Sequence, residues 1–173
     1  LGFDPDRLAR ISAWMPAHVD EGRLAGLSVQ ISRKGQVAYV QHRGLRDIAG
    51  GKEVCTDTVW RIYSMTKPVT TLAALMLYEQ GAFQLDQPVS DFRPGFGAAG
   101  VWCGEGHPLE DTEPLHRPVT IHDLITHQAG LVYGDVQGDA LERACCAVGL
   151  DFDWPGDTMA AAVARLTALP LAF

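Results

Sequence analysis

The chain lacks any apolar run approaching the ~20 residues that cross a bilayer, which excludes a helical membrane span. It opens without the basic-then-apolar pattern of an export leader. Like charges are never gathered into long runs, and the balance is acidic: 14 basic against 21 acidic residues, net −7. That excludes the basic stripe that nucleic acid or an anionic membrane surface requires. Cysteine is scarce, with Cys55, Cys103, Cys145 and Cys146 in no C-x-x-C arrangement. Adjacent Cys145 and Cys146 suit neither an ordinary disulfide nor a zinc site. Free thiols in a reducing compartment follow, and with them a cytoplasmic location. Because the chain begins at Leu1 rather than Met, a periplasmic or secreted protein whose leader was removed stays open. There is no H-x-x-x-H or H-E-x-x-H, and His122 and His127 are five apart, off a common helical face. His107 and His116, among Glu105, Glu110, Asp111 and Glu113, read as solvated loop charge rather than a metal site. No G-x-S-x-G elbow is present, which disfavours the α/β-hydrolase form of serine catalysis. Gly95-Phe96-Gly97-Ala98-Ala99-Gly100 spells G-x-G-x-x-G, but no strand precedes it and no helix follows, so a dinucleotide site is rejected.

What is present is the composition of a globular domain, 47% hydrophobic and 20% charged over 173 residues. From Asp4 to Glu21, Leu8, Ile11, Met15 and Val19 recur at helical spacing. Asp4 suits the N-cap, Pro5 the first helical position and Gly22 the stop, and Pro16 predicts a kink or break near Met15. Leu27, Val29 and Ile31 alternate with polar residues, and Val37 to His42 follows a turn at Arg33–Gln36. Leu24–His42 therefore reads as a β-hairpin. Gly44–Asp57 reads as a polar connecting loop, and Val59–Ile62 as a short strand or extended entry. Leu85–Val89 is a tight loop with a turn of helix through Asp91.

Arg93–Pro118 is long and irregular, as functional or mobile loops are. Val101-Trp102 and Leu115-His116 are placed to pair across it. Thr120 and Asp123 form a capping-box pattern opening another helix, which ends near Thr126-His127; His127 reads as a structural histidine. Helices follow over Asp139–Val148 and Thr158–Leu169, the second stopped by Pro170. The vicinal cysteines are expected to pack one inward and one outward.

The chemistry concentrates at Ile62-Tyr63-Ser64-Met65-Thr66-Lys67-Pro68. The run Val69–Tyr78 is apolar almost all the way round and reads as a helix buried in a core, from about Ser64 to Gln80 with Gly81 as its cap. Positions i and i+3 share a helical face, so Ser64 and Lys67 point the same way. Free backbone N–H groups at the helix mouth favour a developing anion. A serine, an amine able to take its proton and a place for an oxyanion are the parts for acyl transfer. By itself the S-x-x-K pattern usually marks a capped surface helix; its place at the start of a very apolar helix, after an extended segment, points to chemistry. Tyr133, with Gly134 and Asp135, invites completion of a Ser/Lys/Tyr trio; a loop tyrosine covering a substrate pocket is the reading preferred here.

Ser64-Met65-Thr66-Lys67-Pro68 resembles the family VIII carboxylesterases, relatives of class C β-lactamases and penicillin-binding proteins. Tyr78-Glu79-Gln80-Gly81 with Leu85-Asp86-Gln87-Pro88-Val89, and the stretch Pro118–Leu131, are similar to family segments in the same order. The resemblance implies an α/β (α+β) fold of β-lactamase/transpeptidase type, an antiparallel sheet flanked by helices plus a helical region. It implies that residues 1–173 are the N-terminal portion of a single catalytic domain: 1–62 the helix and hairpin, 63–173 the nucleophile helix and helical region. It further implies Ser64 as nucleophile and Lys67 as its base, a desolvated amine with a lowered pKa. The backbone N–H of Ser64 would be half of an oxyanion hole. No metal or organic cofactor is implied; the partner is a small-molecule ester or β-lactam. The family's catalytic tyrosine and its late sheet-strand motif have no counterpart in these residues, so the fold is expected to be incomplete, with an exposed sheet edge and a catalytically dead isolated fragment.

The expected function is a carboxylesterase on small to medium acyl groups, since lactamases more often place Gly before the serine. Arg93–Pro118 and the loop near Tyr133 are expected to shape the pocket. A class C-like β-lactamase or D-amino-acid peptidase is the alternative within enzymes. A non-catalytic penicillin-binding-protein-like binding module is the alternative outside them. The acyl preference and oligomeric state are not legible.

Overall fold

Asp4 begins the first helix through its side chain, whose Oδ1 accepts the backbone N–H of Asp6 at 2.9 Å and of Arg7 at 3.3 Å. The computed structural model describes residues 1–134, 138–150 and 156–173, in two compact units, Leu1–Tyr63 and Ser64–Phe173. In the first unit α1 runs over Pro5–Asp20 and stops before Gly22, whose φ is 71°. Of the kink or break expected at Pro16, the break does not occur: α1 is continuous through it. Proline removes one donor, the N–H that would reach the Ser12 carbonyl. In the turn before Pro16 α1 is tied down: Met15 is fully buried, and the Ser12 hydroxyl meets the Tyr39 hydroxyl at 2.9 Å.

The hairpin forms as its alternation requires. β1 (Gly26–Arg33) pairs antiparallel with β2 (Gln36–Asp47). Lys34 and Gly35 between them have φ of 54° and 74°, the two left-handed residues that suit strand twist in a two-residue turn. β2 continues five residues beyond His42, and β3 (Lys52–Glu53) pairs back onto it, giving the order β1-β2-β3. Part of the segment read as a loop is therefore sheet. Its alternation is hidden by Gly44 in β2 and by the two-residue length of β3. α1 packs on β1 and β2, so a small antiparallel sheet is flanked by a helix. Residues 59–62 form no strand.

A single 3₁₀ turn, Tyr63–Met65, carries the chain into the second unit and is followed there by α2 (Thr66–Glu79) and the left-handed Gly81. Here the structure corrects the sequence: no residue of α2 is buried, and Val69, Leu72 and Met76 are exposed. Periodicity reports what a helix is able to bury; it does not report what covers it. The unit's core instead gathers Val89, Phe96, Val119, Ala129 and Leu171, with side chains of α3 (Ile121–Ile125) and α5 (Met159–Leu166) packed against it. A 3₁₀ turn at Val89–Asp91 matches the expected turn of helix. β4 (Gly100–Trp102) pairs with β5 (Thr112–Pro114), not with Leu115-His116 as expected, because Leu115 turns into the core instead of joining the ladder. Pro94–Ala98 is a 3₁₀ helix, so the G-x-G-x-x-G letters lie on no βα turn. α4 (Ala140–Ala147) and α5 occupy the expected segments, with Asp139 and Thr158 as N-caps. Cys145 is buried and Cys146 half-buried, in keeping with the inward and outward packing.

The chain's last residues close this unit. Leu171 bonds β4 in both directions, accepting from Trp102 at 2.8 Å and donating to Gly100 at 2.9 Å. Ala172 then donates to the Gly130 carbonyl at 2.8 Å. Gly130 has φ of 67°, and a Cβ there would sit 2.5 Å from the Phe173 carbonyl oxygen. Gly130→Ala is therefore expected to cost about 1–2 kcal/mol, read as a lower midpoint in urea. An unchanged midpoint would mean the corner relaxes freely. Among the described residues, no helix is long and apolar enough to cross a membrane.

Candidate active site

Ser64 lies in the middle of the 3₁₀ turn, and Lys67 is the second residue of α2. The chain tightens there because Pro68 fits only the first turn of a helix, which fixes where α2 begins. Across that junction the i,i+3 spacing brings the two side chains together: Lys67 Nζ donates to Ser64 Oγ at 3.1 Å. Both residues are exposed. The desolvation expected around Lys67 is thus not supplied by the described residues.

Tyr133 lies on the loop after α3, and the Lys67 ammonium stands 5.8 Å from the centroid of its ring, within cation–π range. All three candidate residues are therefore in one place. Asp135, the third letter of the Tyr133 triplet, lies outside the described residues. His127 has φ of 60° at the corner after α3, a backbone position that suits the structural reading. His107 Nδ1 is 3.4 Å from Asp111 Oδ2, a local loop pair.

Sequence reasoning missed Arg117. The capping box was legible: Thr120 Oγ1 accepts the Asp123 N–H at 3.3 Å, and Asp123 Oδ2 accepts the Thr120 N–H at 2.9 Å. The same carboxylate also takes a bidentate pair from Arg117, Nη1 at 2.6 Å and Nη2 at 2.9 Å. That guanidinium, with the Thr120 donors, outweighs burial and holds the Asp123 carboxyl far below the usual range. An i,i+6 pair across Pro118 belongs to no helical or strand period, so only the placement of a lone Arg before Pro could have signalled it. Burial, with a smaller push from Cys146, raises the Cys145 thiol to about 11 and keeps it unreactive.

Residues of the long loop line a cavity of about 660 Å³, with Phe96, Gly100, Thr112 and His116 among its walls. None of Ser64, Lys67 and Tyr133 lines it. The loop lines a cavity, but not the substrate pocket expected of it, since neither Ser64 nor Lys67 is among the walls.

The fold agrees with a match to a known family. A model described as beta-lactamase matches residues 11–173. The chain belongs to the beta-lactamase family. Among curated members related to it, esterase EstB of Burkholderia gladioli is 33% identical over 168 residues, covering 95% of this chain and 39% of EstB. A lovastatin esterase of Penicillium rubens is 33% identical over 123 residues, 68% of this chain and 30% of that protein. Among solved structures, EstCE1, a hydrolase with promiscuous acyltransferase activity, superposes with a TM-score of 0.74 at 28% identity. It covers 97% of this chain and 42% of its own. This beta-lactamase-family chain thus spans about a third of the length of the curated relatives it matches. Its architecture, a small antiparallel sheet with a helix on it and a helical second unit, is consistent with the β-lactamase/transpeptidase type.

Proposed function

We propose that this chain carries the nucleophile of a serine hydrolase, a carboxylesterase that works through an acyl-enzyme on Ser64 with Lys67 as general base. The observation that carries the reading is the 3.1 Å contact between Lys67 Nζ and Ser64 Oγ, in a chain of the beta-lactamase family. In the reaction the amine is neutral and the proton crosses the same contact in the other direction, from Oγ to Nζ. Oγ forms a bond to the acyl carbon, and the carbonyl electrons move onto its oxygen. That oxyanion lies at the start of α2, where the backbone N–H groups lack helical partners. Collapse breaks the ester bond; the departing alcohol takes the proton back from Lys67, and water then releases the acyl group. An acyl chain lying over the exposed pair supplies the desolvation that the described residues do not, and Tyr133 forms one wall for it.

The esterase choice rests on the Tyr63-Ser64 dipeptide and on the relatives named as esterases. The test is an organophosphonate on the full-length protein, with the adduct mapped by peptide mass, alongside turnover of a p-nitrophenyl ester and a cephalosporin. The expected adduct is on Ser64, with ester turnover the faster. An adduct elsewhere overturns the nucleophile; faster cephalosporin turnover moves the assignment to a lactamase. No adduct and no turnover of either substrate indicates a binding module.

A further inference from the structure

Lysine's ammonium ends a flexible four-carbon stem, and an exposed one explores many rotamers unless something holds it. Among the described residues, no carboxylate forms an ion pair with Lys67. Two groups do meet its ammonium: the Ser64 hydroxyl and the face of the Tyr133 ring. The ring is itself on a fixed mount. Four and three residues before it, Ala129 and Gly130 are buried, and the Gly130 carbonyl is bonded by Ala172. One residue before it, the Val132 carbonyl accepts the thiol of Cys145 at 3.7 Å, from the buried side of α4. The loop is thus pinned to the C-terminal segment and to α4, while Tyr133 itself remains 49% exposed.

We infer that Tyr133 is a positioning residue for Lys67, the face of its ring holding the lysine amine against the Ser64 hydroxyl. The inference rests on the reading of Ser64 and Lys67 as the reacting pair, and it deepens the part given there to Tyr133. A ring that holds the amine before acylation also holds the ammonium that results from proton transfer, since the quadrupole attracts positive charge. The proton stays on Nζ, aimed at the site from which the alcohol leaves, until the alcohol carries it away. Tyr133 touches neither proton nor acyl carbon; it acts through Lys67. Its role requires an aromatic face and no hydroxyl.

The test compares Tyr133→Leu with Tyr133→Phe in the full-length protein, using two readouts. The first is the Lys67 side-chain resonance in a carbon–proton NMR spectrum, assigned by its disappearance in Lys67→Arg. A methylene over a ring face is displaced upfield by the ring current. That displacement is expected in the unmodified protein and in Tyr133→Phe, and lost in Tyr133→Leu. The second is the rate at which an organophosphonate labels Ser64. It should fall roughly two- to fivefold in Tyr133→Leu, as loss of an exposed cation–π contact predicts, and recover in Tyr133→Phe. A leucine variant that keeps both the displaced resonance and the labelling rate overturns the inference. So does a phenylalanine variant that behaves like leucine, because the hydroxyl would then be the active group. If the unmodified protein is not labelled at Ser64, the hydrolase reading fails. The resonance then still decides, by itself, whether the ring holds the lysine.

Discussion

Ser64→Ala in the full-length protein is expected to remove ester turnover, on the order of 10⁴- to 10⁶-fold, and to abolish organophosphonate labelling. Removing the nucleophile of an acyl-transfer site takes away the covalent step, and the remaining donors and binding contacts do not replace it. The change should leave stability within about 0.5 kcal/mol, since Ser64 is exposed and its hydroxyl contact is with an equally exposed lysine. That contrast makes the experiment informative, because a lost activity cannot then be ascribed to a lost fold. Turnover within tenfold of the unmodified protein, at an unchanged melting temperature, would remove Ser64 from the chemistry.

Asp123→Ala should destabilise the second unit by roughly 3 kcal/mol, seen as a melting temperature about 6–12 °C lower. Asp123 is only 4% exposed, and its carboxylate takes both arms of Arg117 together with the N–H and hydroxyl of Thr120. Alanine leaves the Thr120 N–H without its partner and ends the reciprocal cap at the start of α3. The ion pair is buried at one end only, with Arg117 largely in solvent. Salt should therefore weaken it, and the hydrogen bonds should carry most of the loss. The acid limb follows from the same contacts. Because the folded-state pKa lies below the ordinary aspartate value near 3.9, the stabilisation is complete above that value. It drains away as pH falls below it towards the folded value. In Asp123→Asn that portion of the acid slope should disappear. An equal slope in both proteins would place the acid sensitivity elsewhere.

What the sequence disclosed and what it hid divide along physical lines. Local codes were legible: Asp4 and Thr120 cap their helices, Lys34-Gly35 turns the hairpin, and Ser64 and Lys67 meet at i,i+3. Each depends on atoms within four residues. The misses needed a partner farther off. β3 is too short to carry a period, and Thr112–Pro114 won the pairing with β4 because the core claimed Leu115. Arg117 finds Asp123 around a proline bend. Pro16 was read from its own chemistry, while the anchoring of Met15 and Ser12 decided the outcome. The exposure of α2 is the same lesson reversed, a correct apolar pattern without a described cover.

That exposure bears on the chemistry through order. α2 is 14 residues long and opens with Thr66, Pro68, Val69, Thr70 and Thr71, weak helix formers for the most part. A helix of this length and composition is marginal unless its apolar side is packed. The spacing that joins Ser64 to Lys67 thus depends on a helix whose Val69, Leu72 and Met76 are left uncovered by the described residues. The reactivity of one serine becomes a gauge of helical order. Weakening α2 itself, as by Ala73→Gly on its exposed side, should slow phosphonate capture before any global melting is seen, with no change to either reacting side chain.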